Sequence, residues 1–290
     1  MFEEFESRNI ETRGARIHLR TEGKGPPLLL LHGYPQTHVM WHKIMAELAR
    51  DYTVVATDLR GYGDSSKPPG GDGHAAYSFR KMAQDQIEVM TALGFERFYV
   101  VGHDRGARVT HRMMLDHPKC VEKAVLLDIA PTLAMYEQTD MAFASGYYHW
   151  FFLIQAFDLP ERLIGSDPEY FLRRKLANGA KTEGTFTPES LQEYIRCFSD
   201  PQTIHATCED YRAAAGIDLE HDREDLGRKI TIPIHVLWGE LGLVGKQFDA
   251  LAEWRKVARQ VSGRSLPCGH YLAEELPEMT TTEIRDFLKA

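Results

Sequence analysis

The sequence predicts an α/β protein: a mainly parallel sheet with helices on both faces and a helical cap inserted between two parts of that sheet. Three observations carry this reading. Strand-like and helix-like runs alternate from the start to about Pro131, the pattern of a sheet built from crossover units. From about Thr132 to Arg228 aromatic and amphipathic helical runs replace the β-branched ones, with breakers at Pro160, Pro168, Pro188 and Pro201. Strand character then returns at 230–238. The expected organisation is therefore a core of residues 1–131 and 229–290 and a cap of residues 132–228.

Taken in order, residues 27–31 are Pro-Leu-Leu-Leu-Leu, a continuous apolar run that fits a strand covered on both faces. Residues 52–56 and 98–101 are short, aromatic and β-branched, and read the same way. A helical pattern follows from Arg105 to His117 and stops at Pro118. The stretch 67–73, Lys-Pro-Pro-Gly-Gly-Asp-Gly, is a surface loop. After the cap come the strand 230–238, a helix over 247–258, a strand over 259–266 and a last helix over 281–289. No internal repeat or low-complexity segment interrupts this plan.

With 290 residues and 43% hydrophobic content the chain can bury a substantial core. Its formal charge of −8 disfavours nucleic acid and anionic membranes as partners, so an anionic small molecule needs a local positive site. The acidic start, Met1 to Glu6, lacks an apolar run and no stretch is long enough to span a bilayer, which sets the expectation of a cytoplasmic protein. Cys120, Cys197, Cys208 and Cys268 show no CxxC spacing and are expected as free thiols. No metal-ligand spacing stands out and no cofactor is expected; a homodimer is held open as the oligomeric state.

The chemistry concentrates at Gly102-His103-Asp104-Arg105-Gly106, between a strand and a helix. An aspartate here occupies the place of the serine in a G-x-S-x-G nucleophile elbow. A carboxylate attacking a saturated carbon leaves an ester that water can open, whereas a serine would leave an inert ether. An acidic residue is also a common helix N-cap, which is the bland explanation. An ester intermediate requires a base near neutral pH, and His270 in Pro267-Cys268-Gly269-His270 is the natural candidate. Arg108 lies four residues after Asp104 on the same helix face, and Arg105 adjoins it, so both are candidates for holding a carboxylate.

Four segments, in order, carry a resemblance: His32-Gly33-Tyr34-Pro35, Asp58-Leu59-Arg60-Gly61-Tyr62-Gly63-Asp64-Ser65, the elbow, and the His270 segment. Together they resemble the α/β-hydrolase fold. The resemblance implies an oxyanion site from the backbone around Tyr34 and Arg105. It also implies an acid orienting His270, placed in a WGxxD-like turn or after the strand that follows the elbow helix. The turn here is Trp238-Gly239-Glu240-Leu241-Gly242, with glycine in the acid position, so Asp128 is the assigned acid and Glu240 the runner-up.

Arginine after the aspartate, where epoxide hydrolases and haloalkane dehalogenases typically carry tryptophan, makes the segment His103 to Arg108 similar to the fluoroacetate (haloacetate) dehalogenases of that fold. This implies a halide pocket from His149, Trp150 and Tyr211, a small haloacid as substrate and hydrolysis to a 2-hydroxyacid. Donors of that kind suit fluoride, whose departure from water must be compensated. The alternative is an epoxide hydrolase with the same Asp104, His270 and Asp128, its oxygen protonated by Tyr147, Tyr148 or Tyr211. A ligand-binding receptor on the same scaffold is the reading from another class. Halogen preference, tolerance for larger haloacids and oligomeric state are not encoded in any motif.

Overall fold

Four consecutive leucines, Leu28 to Leu31, have no measurable exposure, because the strand that carries them has neighbours on both edges and helices on both faces. The computed structural model describes residues 2–290. Its eight strands are β1 (Glu6–Glu11), β2 (Arg16–Glu22), β3 (Pro27–Leu31), β4 (Thr53–Thr57), β5 (Phe98–His103), β6 (Val121–Leu127), β7 (Ile234–Gly239) and β8 (Val261–Leu266). They form one sheet in the order β1-β2-β4-β3-β5-β6-β7-β8. All pairings from β4 to β8 are parallel, while β1 with β2 and β2 with β4 are antiparallel. The expectation of a mainly parallel sheet with helices is borne out. The chain does not open on strand–helix alternation, however, but on the β1–β2 hairpin, whose outer strand is mostly exposed and so lacks the apolar run of a buried strand.

Between β6 and β7 the described residues form helices only, from Thr132–Glu137 to Ile217–Glu224. The prolines of this segment begin helices rather than end them. Pro168, Pro188 and Pro201 each follow a capping residue, Asp167, Thr187 and Asp200, whose side chain accepts a backbone N–H of the first turn. Proline suits that position because its missing N–H would have had no helical partner. Elsewhere the boundaries differ from the sequence reading by a few residues: the strand expected from 230 starts at Ile234, and the helix expected from 281 already starts at Pro277.

Because β4 and β5 lie on opposite sides of β3, the chain turns opposite ways after β3 and β5, leaving a crevice at their C-terminal ends. Tyr34 follows β3, Asp104 follows β5, Asp128 follows β6 and His270 follows β8. The helical segment closes over this crevice. Tyr62 Oη donates to Asp210 at 2.6 Å, Gln36 Nε2 donates to Tyr194 at 3.2 Å, and the His270 N–H donates to the Gly179 carbonyl at 3.0 Å.

Candidate active site

Asp104 sits at φ +46°, a conformation that side-chain-bearing residues rarely adopt and that persists only where surrounding structure imposes it. Two glycines allow the turn. A Cβ on Gly106 would lie 2.3 Å from the Leu31 carbonyl oxygen, and one on Gly102 would lie 2.6 Å from the Gly106 carbonyl oxygen. The turn thus presents Asp104 at the mouth of the sheet with the helix Arg105–Asp116 starting directly behind it.

The Tyr34 N–H donates to Asp104 Oδ1 at 2.9 Å, while Oδ2 accepts no hydrogen bond among the described residues. The Arg105 N–H likewise has no protein acceptor there. One carboxylate oxygen is therefore held in the position of an oxyanion and the other is free to attack. Burial pushes the Asp104 carboxyl up, but His270, Arg108, His103 and Arg105 outweigh it and hold the group well below the usual carboxylate range. It stays ionised.

His270 Nδ1 lies 2.5 Å from Asp128 Oδ2, and the other Asp128 oxygen accepts the Gly239 N–H at 2.9 Å. With Nδ1 so engaged, Nε2 is left as the basic nitrogen. His103 Nε2–H donates to the His270 carbonyl at 2.8 Å, and burial pushes the His103 imidazole down to about 3, so it stays neutral beside the His270 ring. The two acid positions weighed from sequence converge in space. A Cβ on Gly242 would stand 3.7 Å from both Asp128 oxygens, whereas Glu240 is exposed and makes no hydrogen bond to His270 among the described residues.

The two arginines differ. Arg105 Nε donates to Asp210 Oδ2 at 2.8 Å, Nη2 pairs with the same carboxylate, and the guanidinium stacks on Phe79 and Tyr211. The open fork expected from sequence is thus closed by a cap aspartate, leaving Nη1 for a ligand. Arg108 has no carboxylate partner. Its Nη1 donates to Thr132 Oγ1 at 3.0 Å, its Nε is buried without an acceptor, and Trp150 lies 4.7 Å from its guanidinium carbon. Burial lowers its basicity and the Asp104 charge raises it. Such a cation is short of an anion.

Trp150 Nε1, His149 Nδ1 and the hydroxyls of Tyr147 and Tyr211 are all buried without a hydrogen-bond partner. His149 stacks on Tyr34, and Tyr211 packs edge-on against both Tyr34 and His149. Burial, then the Lys175 charge, pushes the His149 imidazole well below its ordinary range, and burial keeps both tyrosines protonated. The structure brings His149, Trp150 and Tyr211 into one aromatic cluster, while Tyr148, at its edge beside His149, is 43% exposed. Sequence reasoning missed the role of Asp210 as the partner of Arg105, and it missed Lys175. Neither position stands in a spacing that announces it.

The fold also gathers His18, His38 and Asp58, whose ligating atoms lie within 4.8 Å of one another, a cluster that no spacing foretold. Asp58 is already engaged: His38 Nδ1 and the His38 N–H donate to Oδ1 at 2.8 Å, and the Asp64 N–H to Oδ2 at 2.9 Å. The cluster reads as a loop clamp rather than a metal centre.

The family model described as alpha/beta hydrolase fold matches residues 26–277. The chain is 47% identical over 289 residues to a fluoroacetate dehalogenase of Burkholderia sp., covering 99% of this chain and 95% of the relative. It is 36% identical to a soluble epoxide hydrolase of Corynebacterium sp. (strain C12), covering 91% of each. The solved structure of an alpha/beta hydrolase from Nostoc sp. PCC 7120 is 62% identical, covers 99% of both chains and superposes with a TM-score of 0.98. With the elbow, the oxyanion loop and the His270–Asp128 pair in place, the chain belongs to the α/β-hydrolase fold family.

Proposed function

We propose that the protein hydrolyses the carbon–halogen bond of short 2-haloacids, haloacetates including fluoroacetate, to 2-hydroxyacids through an ester on Asp104. The observation that carries this is a set of buried, unpartnered donors together with a guanidinium that has no carboxylate partner among the described residues, beside one ionised carboxylate. Asp104 Oδ2 attacks the α-carbon from the side opposite the halogen; the C–O bond forms as the C–X bond breaks, and its electron pair leaves with the halide. Arg108, with Nη1 of Arg105, holds the substrate carboxylate. Trp150, Tyr211 and His149 donate to the departing halide.

His270 then takes a proton from water, and the hydroxide adds to the Asp104 carbonyl carbon. Charge collects on Oδ1, held by the N–H of Tyr34 and of Arg105. Collapse breaks the bond to the hydroxyacid oxygen, which takes the proton back from His270. Asp128 keeps the imidazole in the required tautomer and stabilises its charged form. Four free cysteines suit a reducing compartment, and we place the enzyme in the cytoplasm. No helix among the described residues is long and apolar enough to cross a membrane.

One observation favours a second reading. The unpaired hydroxyls of Tyr147 and Tyr211 could protonate an epoxide oxygen. Incubating the protein with fluoroacetate, chloroacetate and styrene oxide separates the two. Fluoride and chloride release without diol supports the dehalogenase; diol without halide overturns it.

A further inference from the structure

Lys175 lies on the cap helix Pro168–Gly179, is 95% buried by its exposure of 5%, and donates to no acceptor among the described residues. An ammonium on a side chain this buried, with no acceptor of its own, is costly unless something supplies the missing negative charge. Its position shows where that charge would come from. Gly179, four residues on and so on the same helix face, accepts the His270 N–H at 3.0 Å, and its Cα lies so close to Tyr271 that an added Cβ would stand 2.7 Å from that ring. The face that carries Lys175 is therefore the face that closes on the catalytic histidine. The Lys175 ammonium lies 5.7 Å from the Tyr147 ring centroid.

The charge balance leads to the same place. The ionised groups of the pocket are Asp104, Asp128 and Asp210 against Arg105, Arg108 and Lys175. Arg105 is committed to Asp210. Without Lys175, an incoming carboxylate would meet two catalytic aspartates with Arg108 as the one cation of the pocket, among the described residues, that has no carboxylate partner.

We infer that Lys175 is a further anion-binding residue of this site, an ammonium on the closing face of the cap that draws in the haloacid carboxylate. The inference rests on the dehalogenase reading for the identity of the anion, not for the existence of the binding charge. Burial pulls the Lys175 ammonium down to about 8, with Asp104 and Asp128 opposing. The groups facing it are Asp104 from the elbow, Asp128 from the end of β6, and Tyr147 and His149 from the cap, with His270 held to the same helix through its N–H to the Gly179 carbonyl. Above pH 8 the empty pocket loses this charge, so anion affinity falls as pH rises through that value.

The test compares K175M and K175R with the wild-type protein, titrating acetate and chloride by tryptophan fluorescence and measuring KM and kcat for chloroacetate from pH 6.5 to 9.5. The expected result is acetate affinity and KM weakened on the order of tenfold in K175M, the loss of one charged hydrogen bond. In that variant kcat stays within about threefold, K175R restores most of the binding, and the alkaline loss of affinity disappears in both variants. Unchanged acetate affinity in K175M, or K175R as impaired as K175M, overturns the inference. A wild-type protein that binds acetate but turns over no haloacid contradicts the dehalogenase reading and leaves the Lys175 comparison readable by binding alone.

Discussion

The two walls of the pocket are finished to different degrees. On the sheet side Asp104 Oδ1, His270 Nδ1 and both oxygens of Asp128 have partners at 2.5 to 2.9 Å. On the cap side Trp150 Nε1, His149 Nδ1, Tyr147 Oη and Tyr211 Oη have none. Leaving a buried polar group unpaired costs about 1–3 kcal/mol each, so four such groups gathered on one wall suit a site that a polar ligand completes. The sheet side is built to hold a geometry; the cap side is built to receive charge. In the proposed mechanism the reaction steps belong to the first and the choice of leaving group to the second.

The sharpest way to break this division is at His270, which in the proposed mechanism serves only the second step. His270→Ala should abolish steady-state turnover, by about 10³-fold or more, while still releasing up to one equivalent of halide. Intact-mass measurement should find the stalled ester. A folded variant that binds substrate yet gives neither burst nor adduct would assign His270 to the first step as well.

Next in size is Asp128. Asp128→Asn should cost about 10² to 10⁴-fold in kcat, because the amide cannot stabilise the charged imidazole. The convergence of the two acid positions adds a rescue: Gly242, at φ −77°, accommodates a side chain, and an aspartate there would project toward the same place. The double variant Asp128→Asn with Gly242→Asp should recover part of the loss, and Gly242→Asp alone should not improve the enzyme. No recovery in a well-folded double variant would mean that a carboxylate projecting from position 242 does not reach His270 Nδ1 in the orientation Asp128 gives.

On the cap wall, Trp150→Phe removes one donor and keeps the ring. A lost hydrogen bond to a charged group costs about 1.5–3 kcal/mol, or very roughly 10- to 150-fold if fully expressed in the transition state. Defluorination should carry that loss and dechlorination much less of it, since chloride leaves more easily and accepts hydrogen bonds weakly. Equal losses on fluoroacetate and chloroacetate would reduce Trp150 to a packing residue beside Tyr136 and Phe143.

How much of this was legible follows from range along the chain. The elbow, the oxyanion loop and the His270 segment are local patterns, each set by what a tight turn or a buried strand demands of neighbouring residues. Asp128 was found by chemistry and a missing aspartate at Gly242. The partners that span long separations were not legible: Arg105 meets Asp210 across 105 positions. Nothing in Leu172-Arg173-Arg174-Lys175 distinguishes the lysine that turns inward from the arginines that stay exposed. The fork expected of Arg105 closed for the same reason. β1 and β2 escaped because a half-exposed hairpin lacks a continuous apolar run.

The smallest expected effect tests the seam between the two walls. Glu274 is buried, accepts from Gln36 Nε2 at 2.5 Å and from the cap residue Tyr194 at 3.1 Å, and burial pushes its carboxyl up to about 8. In the folded protein it therefore keeps its proton across a range where the unfolded chain, titrating near 4.5, has lost it. Stability falls as pH rises from about 4.5 to 8, because the folded state binds the extra proton. Glu274→Gln should flatten this dependence, raising Tm by a few degrees, roughly, at pH 8 and not at pH 4. An unchanged slope would place the ionised form of Glu274 in the seam.

The central claim, that Asp104 is alkylated, is tested most directly by one turnover of excess enzyme on chloroacetate in heavy-oxygen water, followed by peptide mass analysis. Water adds to the Asp104 carbonyl carbon, so its oxygen should remain in the Asp104 carboxylate and the first glycolate formed should be unlabelled. Labelled glycolate with unlabelled Asp104 would mean that water attacks the substrate directly, with Asp104 acting only as a base.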